Sequence, residues 1–273
     1  MPFKQSIARA GIKGREVERS NLPAREVHNI AELLETALGS PVVIIGGRSV
    51  NLWTGQHWRE SHDLDVVINH KPRPEEIMEL NKLADVVYGS KFEINGDPAF
   101  PARMAVEYSS RALMDAGVKG GKVKIDLYYP GYISWVNDGK PRMDISGLPI
   151  SAIINRSETV SFEDKTFTVA SVADLLIMKL DASLNDAGKD RNERNRHILD
   201  IKAIAKIRSN KQDKFYQTIS KVRAVLAEHM PKKEDEIVYT LLGVMGDKSF
   251  NLDHGVQRLI KSMRRDMEEG GRG

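Results

Sequence analysis

The chain has 273 residues, 41% of them apolar and 29% charged, with a formal net charge of +3 and no cysteine. These values fit a soluble globular protein of one large or two modest domains, and the missing cysteines exclude disulfides, thiolate catalysis and cysteine-zinc sites. Apolar runs such as Val42–Ile45 and Leu175–Met178 are too short to span a bilayer, and the N-terminus lacks the apolar stretch of a secretory signal, so a cytoplasmic protein is expected.

In chain order, residues 1–26 read as a basic arm. Lys4, Arg9, Lys13, Arg15, Arg19 and Arg25 outnumber Glu16, Glu18 and Glu26, which suits a solvated leader or a contact with nucleic acid or a partner. Pro23 opens a helix reaching Leu38, with Val27, Ile30, Leu33, Leu34 and Leu38 on one face, and Gly39 stops it. Val42–Ile45 reads as a buried strand, Gly46-Gly47 as a turn, and a short helix starts near Ser49. A second strand carries Asp63 and Asp65 on one face and Leu64, Val66 and Ile68 on the other. Two carboxylates about 7 Å apart along a strand repel each other unless a cation lies between them. Oxygen ligands on a rigid element suit Mg²⁺ (or Mn²⁺), and glycines before a helix let a backbone approach a phosphate.

Lys71-Pro72-Arg73-Pro74 then breaks the pattern, and Pro74 to about Val86 reads as a helix. Strands are expected over 87–94, 102–108 and 122–129. The run Gly117–Lys122 lacks P-loop spacing and precedes a strand, so it is a turn. In Lys122–Tyr129, Val123, Ile125 and Leu127 alternate with Lys124, Asp126 and Tyr128, placing a third acid on a polar strand face. Residues 130–157 read as irregular. A hairpin follows over 158–170, turning at Glu163-Asp164-Lys165, and Ser171-Val-Ala-Asp174 has the form of a capping box. Helices are expected at about 172–185, 194–208, 212–229, 233–245 and 254–267. The organisation is therefore an arm at 1–26, an α/β domain at 27–170, a helical domain at 171–267 and a tail at 268–273. His57 and His62 read as surface residues rather than zinc ligands.

The order Gly46-Gly47-Arg48-Ser49, Asp63-Leu64-Asp65, then Ile125-Asp126-Leu127 resembles the DNA polymerase β-type nucleotidyltransferase superfamily. Val172–Leu180 with Lys179, then Lys189-Asp190-Arg191 and Arg196-His197-Ile-Leu-Asp200, is similar to its minimal bacterial branch, the AbiEii-like toxins. The resemblance implies an α+β fold, with a nucleotidyltransferase-type mixed sheet flanked by helices and followed by a C-terminal helical bundle. It also implies that Asp63, Asp65 and Asp126 hold Mg²⁺ (or Mn²⁺), and that Gly46, Gly47 and Ser49 seat the triphosphate of an NTP. Lys179 would reach nucleotide phosphates, and Asp200 would be the acidic residue needed in the toxin branch. Arg48 departs from the family pattern, either adding a phosphate contact or pointing to solvent.

The expected activity is transfer of an NMP from an NTP to a hydroxyl on RNA, with tRNA as acceptor, in a toxin or phage-defence setting. A cognate antitoxin is a possible partner, and no membrane partner is expected. From Lys189 to Lys211 eight basic residues face three acidic ones, a net +5 that suits an RNA backbone as well as a solvated helix face. Two alternatives stand beside this reading: an aminoglycoside adenylyltransferase, and an inactive relative that binds RNA or protein.

Overall fold

A seven-stranded mixed sheet organises the fold, and the alternation of side chains along its strands decides what covers each face. The computed structural model describes residues 22–55, 63–88, 91–95, 104–131, 133–135, 141–143, 145–185, 191–208, 212–246 and 254–270. The first elements are α1 (Ala24–Leu38), β1 (Val43–Ile44), α2 (Gly46–Thr54), β2 (Asp63–Val67) and α3 (Pro74–Tyr88). Next come β3 (Lys91–Asn95), β4 (Met104–Ser109), α4 (Arg111–Asp115) and β5 (Lys122–Tyr128). A small hairpin of β6 (Ile133–Trp135) and β7 (Pro141–Met143) and the short α5 (Ile150–Asn155) precede β8 (Glu158–Phe162) and β9 (Lys165–Val169). The chain then turns helical, with α6 (Val172–Asn185), α7 (Arg191–Arg208), α8 (Gln212–His229), α9 (Glu234–Met245) and α10 (His254–Gly270).

The strand order is β3-β4-β5-β2-β1-β9-β8. β2 runs parallel to β5, and β1 parallel to β9; the remaining pairs are antiparallel. One face of the sheet presents Leu64, Val66, Val106, Tyr108, Val123, Ile125 and Leu127 to Val27, Ile30 and Leu34 of α1 and Leu80 of α3. On the opposite face Val43 and Val67, with Ile45, join the apolar cluster formed by the later helices, including Leu175, Leu176, Ile204, Ile219 and Leu242. Each fully buried aliphatic side chain of this kind contributes about 1.5–3 kcal/mol, so the helices are anchored on the sheet through a shared core. Asp63, Asp65 and Asp126 lie on this second face, beside the helical layer. Among the described residues, no helix is long and apolar enough to cross a membrane.

Local signals explain most element ends. Gly39 takes the left-handed conformation at the end of α1, with φ 60°. Glu163 and Asp164 both have positive φ, which makes β8–β9 a tight two-residue hairpin. Ser171 Oγ accepts from the Asp174 backbone N–H at 3.1 Å and donates to its carboxylate at 2.7 Å, so the expected cap of α6 is formed. At the head of α3, the Glu76 carboxylate accepts from the Arg73 backbone N–H at 2.8 Å and from the Arg73 guanidinium, with His70 Nε2 3.0 Å away. The Arg73 guanidinium, more than the backbone bond and His70, holds the Glu76 carboxyl down from 4.5 to about 2. A depressed carboxyl stabilises the folded state when ionised. That contribution is present above about 4.5 and is lost as the pH falls toward about 2. Thermal melts over that acid range are expected to fall less steeply for Glu76→Gln than for the wild type.

Three expectations are corrected. Both glycines lie in the first turn of α2 rather than ahead of it, because the Ser49 N–H already reaches the Ile45 carbonyl at 3.4 Å. Residues 130–157 hold β6, β7 and α5, which are too short for apolar periodicity to mark. Val87 and Tyr88 extend α3, so β3 starts at Lys91. The expectations for residues 1–21, for His57 and His62, and for residues 271–273 lie outside the described residues.

Candidate active site

The parallel register of β2 and β5 sets Asp65 directly beside Asp126 and Asp63 beside Lys124. Leu64 and Ile125 point into the core, so all four polar side chains emerge on the opposite face. One carboxylate oxygen from each of Asp63, Asp65 and Asp126 lies within 4.8 Å of the others. Asp126 is buried, Asp65 half-buried and Asp63 exposed, so the cluster opens toward solvent at the start of β2. The Tyr128 hydroxyl donates to Asp65 Oδ1 at 3.3 Å, and Lys124 Nζ lies 3.0 Å from Asp126 Oδ1. Three converging carboxylates repel one another, and a buried one demands compensation. Their donor set is all oxygen and anionic, which fits a hard divalent cation such as Mg²⁺ or Mn²⁺.

Gly46 brings the helix head against this cluster. Its φ of 70° is a left-handed value, and the neighbouring Ile45 N–H donates to the Asp65 carbonyl at 2.9 Å. A Cβ at position 46 would stand 2.1 Å from Asp65 Oδ2 and 3.0 Å from Asp65 Cβ. Only glycine therefore lets the Asp65 carboxylate rest at the N-terminus of α2, where the helix dipole favours negative charge. Gly46→Ala is expected to push that carboxylate aside and to cost about 1–2 kcal/mol for the left-handed backbone alone. The checks are a denaturation midpoint and a transfer rate, with the rate falling by more than the stability loss explains. Gly47 and Ser49 are buried in the same turn, and Ser49 Oγ donates to the Gly46 carbonyl at 2.8 Å.

Arg48 neither faces solvent nor joins the carboxylates. Its side chain is buried on the far side of α2, where Nη2 donates to the Leu22 carbonyl ahead of α1. Among the described residues, Nε and Nη1 find no hydrogen-bond partner. Burial pushes the guanidinium down to about 10, against the opposing pull of Glu163. The periodicity of α2 explains the placement, since Arg48 shares a face with Leu52 and both point toward the core under α1.

Lys179 and Asp200 form a pair of their own. Lys179 Nζ lies 2.7 Å from Asp200 Oδ2, with the lysine side chain 7% exposed and the aspartate 0%. The helices that carry them, α6 and α7, both pack on α2. The charge at Asp200 is thus met by an ammonium from the neighbouring helix. In the basic stretch, Arg196 and Lys206 are exposed, whereas Lys202 is buried at 6% exposure and adds nothing to a surface footprint.

The family described as nucleotidyl transferase AbiEii toxin, type IV TA system, matches residues 30–272, nearly the whole chain. The chain belongs to the AbiEii family. As an AbiEii-family protein it is a nucleotidyltransferase, and its sheet-and-helix architecture is of the nucleotidyltransferase kind. Among solved structures, a lincosamide antibiotic adenylyltransferase, LnuA with lincomycin bound, is 19% identical, with a TM-score of 0.39 over 68% of this chain and 99% of that one. An antigenic nucleotidyltransferase-like protein from Paracoccidioides brasiliensis is 17% identical, with a TM-score of 0.43 over 79% and 94%. The antibiotic-resistance factor ANT(2'')-Ia is 12% identical, with a TM-score of 0.38 over 76% and 96%. At these scores the assignment rests on the family match. No curated protein sequence matches the chain.

Proposed function

We propose that this AbiEii-family enzyme transfers an NMP from an NTP to a hydroxyl of RNA, with tRNA as acceptor, as the toxin of a toxin–antitoxin pair. The observation that supports it most is the convergence of Asp63, Asp65 and Asp126 within 4.8 Å at the head of the glycine-led α2. In this reading those three carboxylates hold Mg²⁺ (or Mn²⁺). When bound, the metal supplies Lewis-acid polarisation of the α-phosphate and lowers the pKa of the attacking hydroxyl.

The chain's own groups do the positioning. In this reading the first-turn N–H groups of α2 receive the triphosphate oxygens, with Gly46 and Gly47 letting them approach and the Ser49 hydroxyl bracing the turn through the Gly46 carbonyl. The Tyr128 hydroxyl fixes the orientation of Asp65. In this reading Asp200 positions the Lys179 ammonium, whose positive charge offsets the negative charge of the triphosphate. The acceptor hydroxyl loses its proton to solvent, its oxygen bonds to the α-phosphorus as the α–β phosphoanhydride breaks, and pyrophosphate departs. Arg196 and Lys206 on α7 lie exposed on the basic stretch, which favours a polyanionic acceptor over a cationic drug.

The test incubates the protein with each labelled NTP, Mg²⁺, and either total tRNA or an aminoglycoside. Label on tRNA supports the proposal, label on the aminoglycoside moves the acceptor to the antibiotic class, and no label in any mixture refutes transfer to either. Coexpression with the product of an adjacent small gene is expected to suppress toxicity if that product is the antitoxin.

A further inference from the structure

The lysine inside the acidic cluster points to a charge exchange that the family assignment does not contain. Lys124 stands on β5 two residues before Asp126, on the same strand face. The sheet register places it directly across from Asp63 on β2 and from Glu107 on β4. The three strands thus carry a row of acid, base and acid, Asp63–Lys124–Glu107, next to the row that holds Asp65 and Asp126. Residues directly opposite on antiparallel strands have Cβ atoms about 4.5–5.5 Å apart, within easy reach of a lysine swinging on its four-carbon stem.

Lys124 has chosen Asp126. Its ammonium lies 3.0 Å from Oδ1 and 3.2 Å from Oδ2, although half of its side chain is in water and Asp126 is 1% exposed. A cation here neutralises the most buried of three mutually repelling carboxylates. Glu107, meanwhile, takes the ammonium of Lys122 and is only partly covered. It is the acid directly across from Lys124 on β4, as Asp63 is on β2.

We propose that Lys124 is a built-in counter-ion of the metal-free triad, which a divalent cation displaces from Asp126 onto Glu107. This rests on the reading of Asp63, Asp65 and Asp126 as metal ligands. The exchange keeps the carboxylates in register without metal, and it lowers metal affinity because the ammonium must first be moved. It also makes Glu107, which is not itself a ligand, a determinant of that affinity.

Mn²⁺ binding to the metal-free full chain, followed by the electron paramagnetic resonance signal of free Mn²⁺, tests this without any turnover. Lys124→Met is expected to bind Mn²⁺ about tenfold more tightly, since close unit charges at an effective dielectric near 20 interact by more than the equivalent of one decade. Glu107→Gln is expected to weaken binding in the wild-type background and to leave Lys124→Met unchanged, because the receiving acid matters only while the lysine is present. Metal-free Lys124→Met is also expected to melt at a lower temperature, with Mn²⁺ restoring it. Equal affinity in wild type and Lys124→Met overturns the proposal, as does an additive double variant, which marks a general field effect. If neither wild type nor Lys124→Met takes up Mn²⁺, the metal reading of the triad itself fails, and that result is distinct from the other two.

Discussion

Asp65→Asn is expected to lower nucleotidyl transfer by about a thousandfold or more while leaving the fold intact. The substitution keeps the shape of the side chain and removes only its charge. The asparagine oxygen still accepts from Tyr128, which lies 3.3 Å from Asp65 Oδ1, and the glycine at 46 still leaves room for it. Losing one of three repelling carboxylates relieves strain in the metal-free cluster, so the melting temperature is expected to hold or rise. A rate assay with labelled NTP and a thermal melt on the same preparation separate the two effects. Wild-type activity in Asp65→Asn would place the chemistry elsewhere.

Lys179→Met is expected to cost about 3–5 kcal/mol, because it removes the ammonium that pairs with the buried Asp200 carboxylate. Asp200 is 0% exposed, so water cannot take over from an ammonium now 2.7 Å away. That loss is a large part of a typical folding stability of about 5–15 kcal/mol. The double variant Lys179→Met/Asp200→Leu is expected to recover most of it, since removing both charges leaves no desolvated ion. Urea denaturation midpoints read both outcomes. A single-variant cost below about 1 kcal/mol would mean that the pair is screened like a surface one.

Much of the site was legible because strand alternation is a strict code. Leu64 and Ile125 had to point one way, so Asp63, Asp65 and Asp126 had to point the other, and the parallel β2–β5 pairing then brought them together. What was hidden depended on register between strands distant in sequence. Lys124 reads as an ordinary exposed strand lysine until Asp63 and Glu107 are seen on either side of it. The placement of Arg48 is hidden for a related reason. Its neighbours in the glycine turn suggested phosphate, but the pitch of α2 carries its side chain to the buried face, against Leu22. Lys179 and Asp200 were singled out by the family resemblance alone, and their pairing depends on how α6 packs on α7. The shift from alternation to helical periodicity near residue 170 was readable in the chain, whereas the α+β fold class was implied by the family resemblance. The β6–β7 hairpin and α5 escaped because their three- to six-residue lengths carry no readable period.

The most direct measurement is anomalous diffraction from crystals of the protein grown with Mn²⁺ and a non-hydrolysable NTP. The expected result is manganese density between Asp63, Asp65 and Asp126, with the triphosphate at the first turn of α2 behind Gly46 and Gly47. Manganese bound away from those three carboxylates, or a triphosphate seated apart from that turn, would contradict the account.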